Sequence, residues 1–126
     1  MIGYVMFGTN DLQRAAAFYD ALLSEIGASR FMESEEFIAW ATAPDKPALC
    51  ATKPADGKPA TVGNGVMVAL QMESRDQVDA LHRKAMDLGA RDEGAPGPRG
   101  DGFYAGYFRD PDGNKLNAFC MLPDDA

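Results

Sequence analysis

The sequence predicts an α+β protein of two tandem βαβββ modules, whose sheets curl into a cup or open barrel with the helices outside. Three observations predict it. Each half opens with a short apolar strand followed by an amphipathic helix, each half closes with a hairpin pattern, and the halves repeat at a nearly constant offset. The 126 residues are 46% hydrophobic, 25% charged and 10% aromatic, which is ordinary for one soluble domain spanning 1–126. Within it we place module 1 at about 1–53, a connector at about 54–64 and module 2 at about 65–126.

The elements follow in order. Ile2 to Phe7 is apolar and ends at Gly8-Thr9-Asn10, so it reads as a strand. Asp11 is placed to cap a helix whose Leu12, Ala15, Ala16, Phe18, Tyr19, Leu22, Leu23 and Ile26 recur at spacings of three and four, with Gly27 as its stop. Phe37 to Thr42 and Ala48 to Thr52 read as a hairpin around Ala43-Pro44-Asp45-Lys46-Pro47. A stretch with two prolines and three glycines, Pro54 to Gly65, is the connector.

The order then begins again. Val66 to Gln71 suits a strand, Ser74-Arg75-Asp76-Gln77 is a capping box, and Val78, Leu81, Ala85 and Leu88 form a helical stripe ended by Gly89. Gly94 to Gly102, with four glycines and two prolines, reads as a loop. Phe103 to Phe108 and Lys115 to Met121 read as strands joined by the turn Asp110-Pro111-Asp112-Gly113-Asn114. Alternation along the last strand puts Lys115, Asn117 and Phe119 on one face, and Leu116, Ala118 and Cys120 on the other, under a helix. The repeat pairs Asp11 with Ser74 and Tyr4 with Met67 at an offset of 63. An offset of 67 across the hairpins pairs Cys50 with Asn117 and Trp40 with Tyr107.

Charge and composition exclude several roles. Twelve Lys and Arg against nineteen Asp and Glu give a net charge of −7, and no basic stripe is present, so nucleic acid is not an expected partner. No run approaches the roughly 18 apolar residues of a membrane helix. The absence of a leader-like segment before the first strand suggests a cytoplasmic protein, in which Cys50 and Cys120 are reduced, buried thiols.

The opening Gly8-Thr9-Asn10-Asp11-Leu12 with Ala17-Phe18-Tyr19-Asp20, and the closing Arg109-Asp110-Pro111-Asp112-Gly113-Asn114-Lys115-Leu116, resemble the vicinal oxygen chelate superfamily. This superfamily is also called the glyoxalase, bleomycin resistance and dioxygenase family. The resemblance covers nearly the whole chain. It implies a homodimer and, in the family's enzymes, a divalent metal held by His and Glu side chains from the first and last strands of each module. The matching positions here are Tyr4, Cys50, Met67 and Asn117, none of them His, Asp or Glu. Such ions want imidazole or carboxylate donors, so no metal and no other cofactor is expected. The single histidine, His82, falls in the second helix, on the outer layer.

No Ser-His-Asp set and no phosphate-cradling glycine pattern replaces the metal. We therefore expect a protein that binds a small organic molecule in the cup. The alternative from another class is a lyase or dioxygenase resembling lactoylglutathione lyase, with an atypical zinc, nickel, iron or manganese site. A third reading has the cup filled by its own side chains. Ligand-binding candidates are Tyr4, Cys50, Met67 and Asn117, with Trp40 and Tyr107 as aromatic walls and Arg99 as an anion clamp on its loop. Six of the seven have a plainer reading of their own: Asn117 bonded to Tyr4 or backbone, Met67 as core filler, Trp40 and Tyr107 as cross-strand packing, Arg99 as surface and Cys50 as an inert thiol.

Overall fold

A computed structural model describes residues 1–121. The expected end of the second module, 122–126, lies outside the described residues. The chain divides into two compact units, Met1–Asn64 and Gly65–Ala126, at the end of the predicted connector. Each is a βαβββ module. No helix among the described residues is long and apolar enough to cross a membrane.

Module 1 comprises β1 (Tyr4–Gly8), α1 (Leu12–Ser24), β2 (Ser29–Glu33), β3 (Phe37–Ala41) and β4 (Ala48–Thr52), in sheet order β1-β4-β3-β2. β1 runs parallel to β4, and the other pairs are antiparallel. The Asp11 carboxylate caps α1 by accepting from the Arg14 N–H at 3.0 Å. The predicted stripe is the buried one: Ala15, Ala16, Phe18, Tyr19, Leu22 and Leu23 all face inward. Gly27 follows with φ +77°, a conformation that favours glycine.

Module 2 repeats the order with β5 (Val68–Gln71), α2 (Arg75–Asp87), β6 (Arg91–Pro98), β7 (Phe103–Arg109) and β8 (Lys115–Met121), in sheet order β5-β8-β7-β6. The Ser74 hydroxyl accepts from the Gln77 N–H at 3.1 Å, and the Gln77 side chain accepts from the Glu73 N–H at 2.8 Å. The returning bond of the capping box thus lands one residue before the cap. In the β7–β8 turn, the Asp110 carboxylate accepts from the backbone N–H of Asp112 and Asn114 at 2.9 Å each, and Gly113 sits at φ +93°.

Two elements differ from the sequence reading. The expected loop Gly94 to Gly102 is mostly strand, because β6 runs to Pro98. Its register shifts between Asp92 and Gly94 and again between Gly94 and Gly97, so it is a bulged edge strand, where glycine and proline are tolerated. β2 had no placed segment, and its five residues are all exposed on the other sheet's edge.

The hairpin offset also needs correcting. Trp40 stands opposite Leu49, whereas Tyr107 stands opposite Asn117 and Phe108 opposite Leu116. The last strands keep the offset of 67, but the preceding strands are offset by 68. Trp40 is therefore the counterpart of Phe108. A one-residue slip exchanges the two faces of a strand, and Trp40 and Tyr107 lie on opposite kinds of face.

Candidate functional site

Each sheet has one face under its own helix and one face turned away from it. In module 1 the helix side holds Trp40, whose ring centroid lies 5.4 Å from that of Tyr19 and whose indole N–H donates to Asp20 at 2.8 Å. Trp40 is fully buried there and is no wall of the opposite face. The face away from α1 carries Tyr4 and Met6 of β1, in register with Ala48 and Cys50 of β4, and Ala39 opposite Cys50. Cys50 is buried in a cluster with Ala39, Ala41 and Ala48, while Tyr4 and Met6 are exposed. Burial pushes the Cys50 thiol up, so it remains protonated near neutrality and is a poor nucleophile.

In module 2 the helix side holds Phe108, Leu116, Ala118 and Cys120, all buried. His82 lies in α2 and not on a strand, as the sequence reading has it. It is buried against the sheet, with Nε2 at 3.1 Å from the Asp92 carboxylate and 3.2 Å from the Tyr107 carbonyl. Two oxygen acceptors at one nitrogen require that nitrogen to carry the proton. The Gly94 N–H, donating to Asp92 at 2.9 Å, holds that carboxyl below the usual range, and His82 adds to the effect.

The face away from α2 brings predicted candidates together. Tyr107 and Asn117 are cross-strand partners, Ala69 of β5 is in register with Asn117, and Met67 immediately precedes β5 two residues from Ala69. Asn117 is 1% exposed, and its Oδ1 has no hydrogen-bond partner among the described residues. The guanidinium of Arg99 and the ammonium of Lys115 each lie 5.4 Å from the centroid of the Tyr107 ring. Lys115 was not among the sequence candidates, although its alternation with Asn117 along β8 already placed it on this face.

A model of the Glyoxalase/Bleomycin resistance protein/Dioxygenase superfamily matches residues 1–118. The chain belongs to that superfamily. A solved glyoxalase/bleomycin resistance protein from Albidiferax ferrireducens T118 is 36% identical to this superfamily member, with a TM-score of 0.88 over 97% of this chain and 99% of that one. A glyoxalase/bleomycin resistance protein/dioxygenase family enzyme from Burkholderia phytofirmans PsJN is 19% identical, with a TM-score of 0.77 over 95% and 98% of the two chains. Lactoylglutathione lyase from Agrobacterium tumefaciens is 20% identical, with a TM-score of 0.71 over 95% and 92%. At such identities the last two likenesses concern the fold alone. No curated protein matches the chain.

The family's metal does not fit the residues that this glyoxalase-superfamily chain places at the matching positions. Module 1 offers the phenol of Tyr4 and the protonated thiol of Cys50, and module 2 offers the thioether of Met67 and the amide of Asn117. None is an imidazole or a carboxylate, the donors that zinc, nickel, iron and manganese take. Among the described residues, no group of three or more His, Cys, Asp or Glu side chains is arranged to hold an ion. A groove of about 880 Å³ on the helix side of module 1 is lined by charged residues including Asp20, Arg30 and Glu33. Those three are committed to one another, Arg30 reaching Asp20 and Glu33 at 2.7 Å each.

Proposed function

We propose that this superfamily member binds a small organic molecule on the sheet face turned away from α2, and does so without a catalytic divalent metal. The observation that carries the reading is the buried, unpartnered Oδ1 of Asn117. A buried acceptor without a donor costs about 1–3 kcal/mol, and a ligand hydroxyl or amine at that atom relieves the penalty. Tyr107, directly across the strand pair, supplies a ring face within reach of the same molecule. The two cysteines are free thiols, which accords with a reducing, cytoplasmic setting.

The test is Asn117→Leu, which keeps the number and branching of the side chain's heavy atoms and removes the polar ones. Thermal shift against a panel of small organic acids, alcohols, amines and neutral aromatics is expected to find saturable stabilisation of the wild type that this variant loses. The free variant is expected to melt no lower than wild type, because it sheds an unsatisfied amide. A large drop in the free variant's melting temperature, with no panel member binding the wild type, would make Asn117 a packing residue instead. Elemental analysis of protein purified without chelator tests the metal claim. Stoichiometric zinc, nickel, iron or manganese, lost on Cys50→Ala or Asn117→Ala, would replace this reading with the lyase or dioxygenase one.

A further inference from the structure

Resting on that reading, we infer that the ligand of this face is an anion with a hydrogen-bond donor: a small hydroxy or amino compound whose carboxylate or phosphate is held by Arg99 and Lys115 while its donor meets Asn117. The two cations stand at the same distance, 5.4 Å, from one aromatic ring. Each is attracted by the ring's electron-rich face, and each repels the other. Neither forms an ion pair among the described residues.

This is unusual in a chain with nineteen acidic and twelve basic residues. Of the acids on the adjoining strand β6, Glu93 is taken by Arg109 at 2.6 Å and Arg91 at 3.3 Å, and Asp92 by His82 at 3.1 Å. Positive charge is thus concentrated beside Tyr107 with no acid committed to it.

The backbone is shaped to keep Arg99 there. A Cβ at Gly94 would stand 3.3 Å from Tyr107 Cδ1 and 3.4 Å from Arg99 Nη2, so the bare glycine makes room for the guanidinium over the ring. Arg99 Nη2 also donates to the Ala95 carbonyl at 2.6 Å, which holds the side chain against β6; among the described residues its other N–H groups have no hydrogen-bond partner. Guanidinium donors suit carboxylate or phosphate oxygens, and the ammonium of Lys115 supplies a second point charge.

The strand sets the ruler. Lys115 and Asn117 are two residues apart on one face of β8, roughly 6.5–7 Å between Cα atoms. The anion and the donor therefore belong to one short molecule, with a few bonds between them. Tyr107 stands directly across from Asn117, and both cations lie over its ring.

The experiment is calorimetric titration of wild type, Arg99→Met, Lys115→Met and Asn117→Leu. The anionic probes are 3-hydroxybutyrate, 4-hydroxybutyrate and glycerol 3-phosphate. The neutral probes are the methyl esters of the two acids and glycerol, and butyrate serves as the anion without a donor. At least one hydroxylated anion is expected to bind at least tenfold more tightly than its neutral counterpart and than butyrate, and more weakly as salt is raised. The carboxylate and phosphate probes tell the two anion classes apart. Arg99→Met and Lys115→Met are each expected to weaken binding about tenfold without moving the melting temperature of the free protein.

Neutral probes, or neutral members of the wider panel, that bind as well as the anions and depend on Asn117 but not on Arg99 or Lys115 would overturn the inference and leave the small-molecule reading standing. Failure of every probe and every panel member to bind would remove both.

Discussion

Asp20 shows how far one carboxylate can organise a module. Its Oδ1 accepts from the indole N–H of Trp40 at 2.8 Å and from Arg30 Nε at 2.9 Å, and its Oδ2 accepts from Arg30 Nη2 at 2.7 Å. The Arg30 pair is 37% and 43% exposed, so its own contribution is small, whereas Trp40 is 1% exposed and its N–H has no water to turn to. Asp20→Leu is expected to destabilise the protein by about 1–3 kcal/mol, the penalty of a stranded buried donor, and Asp20→Asn by less because an acceptor remains. Chemical denaturation at neutral pH measures both. The Arg30 side chain and the Trp40 N–H hold the Asp20 carboxyl below its ordinary value of 3.8. The native state therefore favours the ionised form. That contribution is complete above the ordinary value and is lost as the pH falls through the lowered native one. Acid unfolding followed from pH 6 to pH 2 is expected to show a shallower loss in Asp20→Asn than in wild type, and parallel curves would contradict the assignment. None of this was legible in the sequence, where Trp40 was matched to Tyr107; the single-residue difference between the two hairpins was invisible without strand pairing.

At the scale of elements, α2 packs on β7 through a close approach that only glycine permits. A Cβ at Gly106 would stand 2.9 Å from Pro96 Cγ and 3.1 Å from His82 Cδ2, on a strand whose backbone there is ordinary. Gly106→Ala is expected to cost about 1–3 kcal/mol by overpacking, since neither the proline ring nor the buried imidazole can withdraw freely. Pairing the change with His82→Ala should recover part of the loss in a double-mutant cycle, and strict additivity would show that the imidazole is not what the added methyl meets. Both helices were legible because caps and apolar stripes are local signals: Asp11, Ser74, Gly27 and the six buried positions of α1 stand where the spacing put them. β2 and β6 were not, for opposite reasons. β2 is exposed at all five positions and shows no alternation to read. β6 carries Gly94, Pro96, Gly97 and Pro98 in a strand whose bulges break the period of two that marks a ladder.

At the scale of the whole chain, the repeat was legible because the offsets near 63 and 67 preserved capping residues and final strands. The candidate site was legible only in part. Asn117, Tyr107, Arg99 and Met67 could be named, and alternation already put Lys115 on the face of Asn117, but the approach of Arg99 and Lys115 to the Tyr107 ring depended on the strand pairing, and the β3–β4 register left Trp40 under α1. The strand orders leave β1 and β5 at the ends of their sheets, each hydrogen-bonded on one side only within its module. Tyr4 and Met6 on β1 are 64% and 48% exposed, and Val66 and Met67 leading into β5 are 54% and 40% exposed. Apolar side chains along such a strand edge are an association surface unless something covers them, and a second copy of the chain is the cover we propose. We therefore expect a homodimer at micromolar concentration, with light scattering giving twice the 13.5 kDa chain mass. Met6→Glu, which sets a carboxylate on the edge strand and adds to the net charge of −7 already carried by each copy, should raise the dissociation constant at least tenfold while far-ultraviolet circular dichroism stays unchanged. A wild-type mass equal to one chain, or a variant that dimerises as tightly as its parent, would mean that β1 does not form the contact.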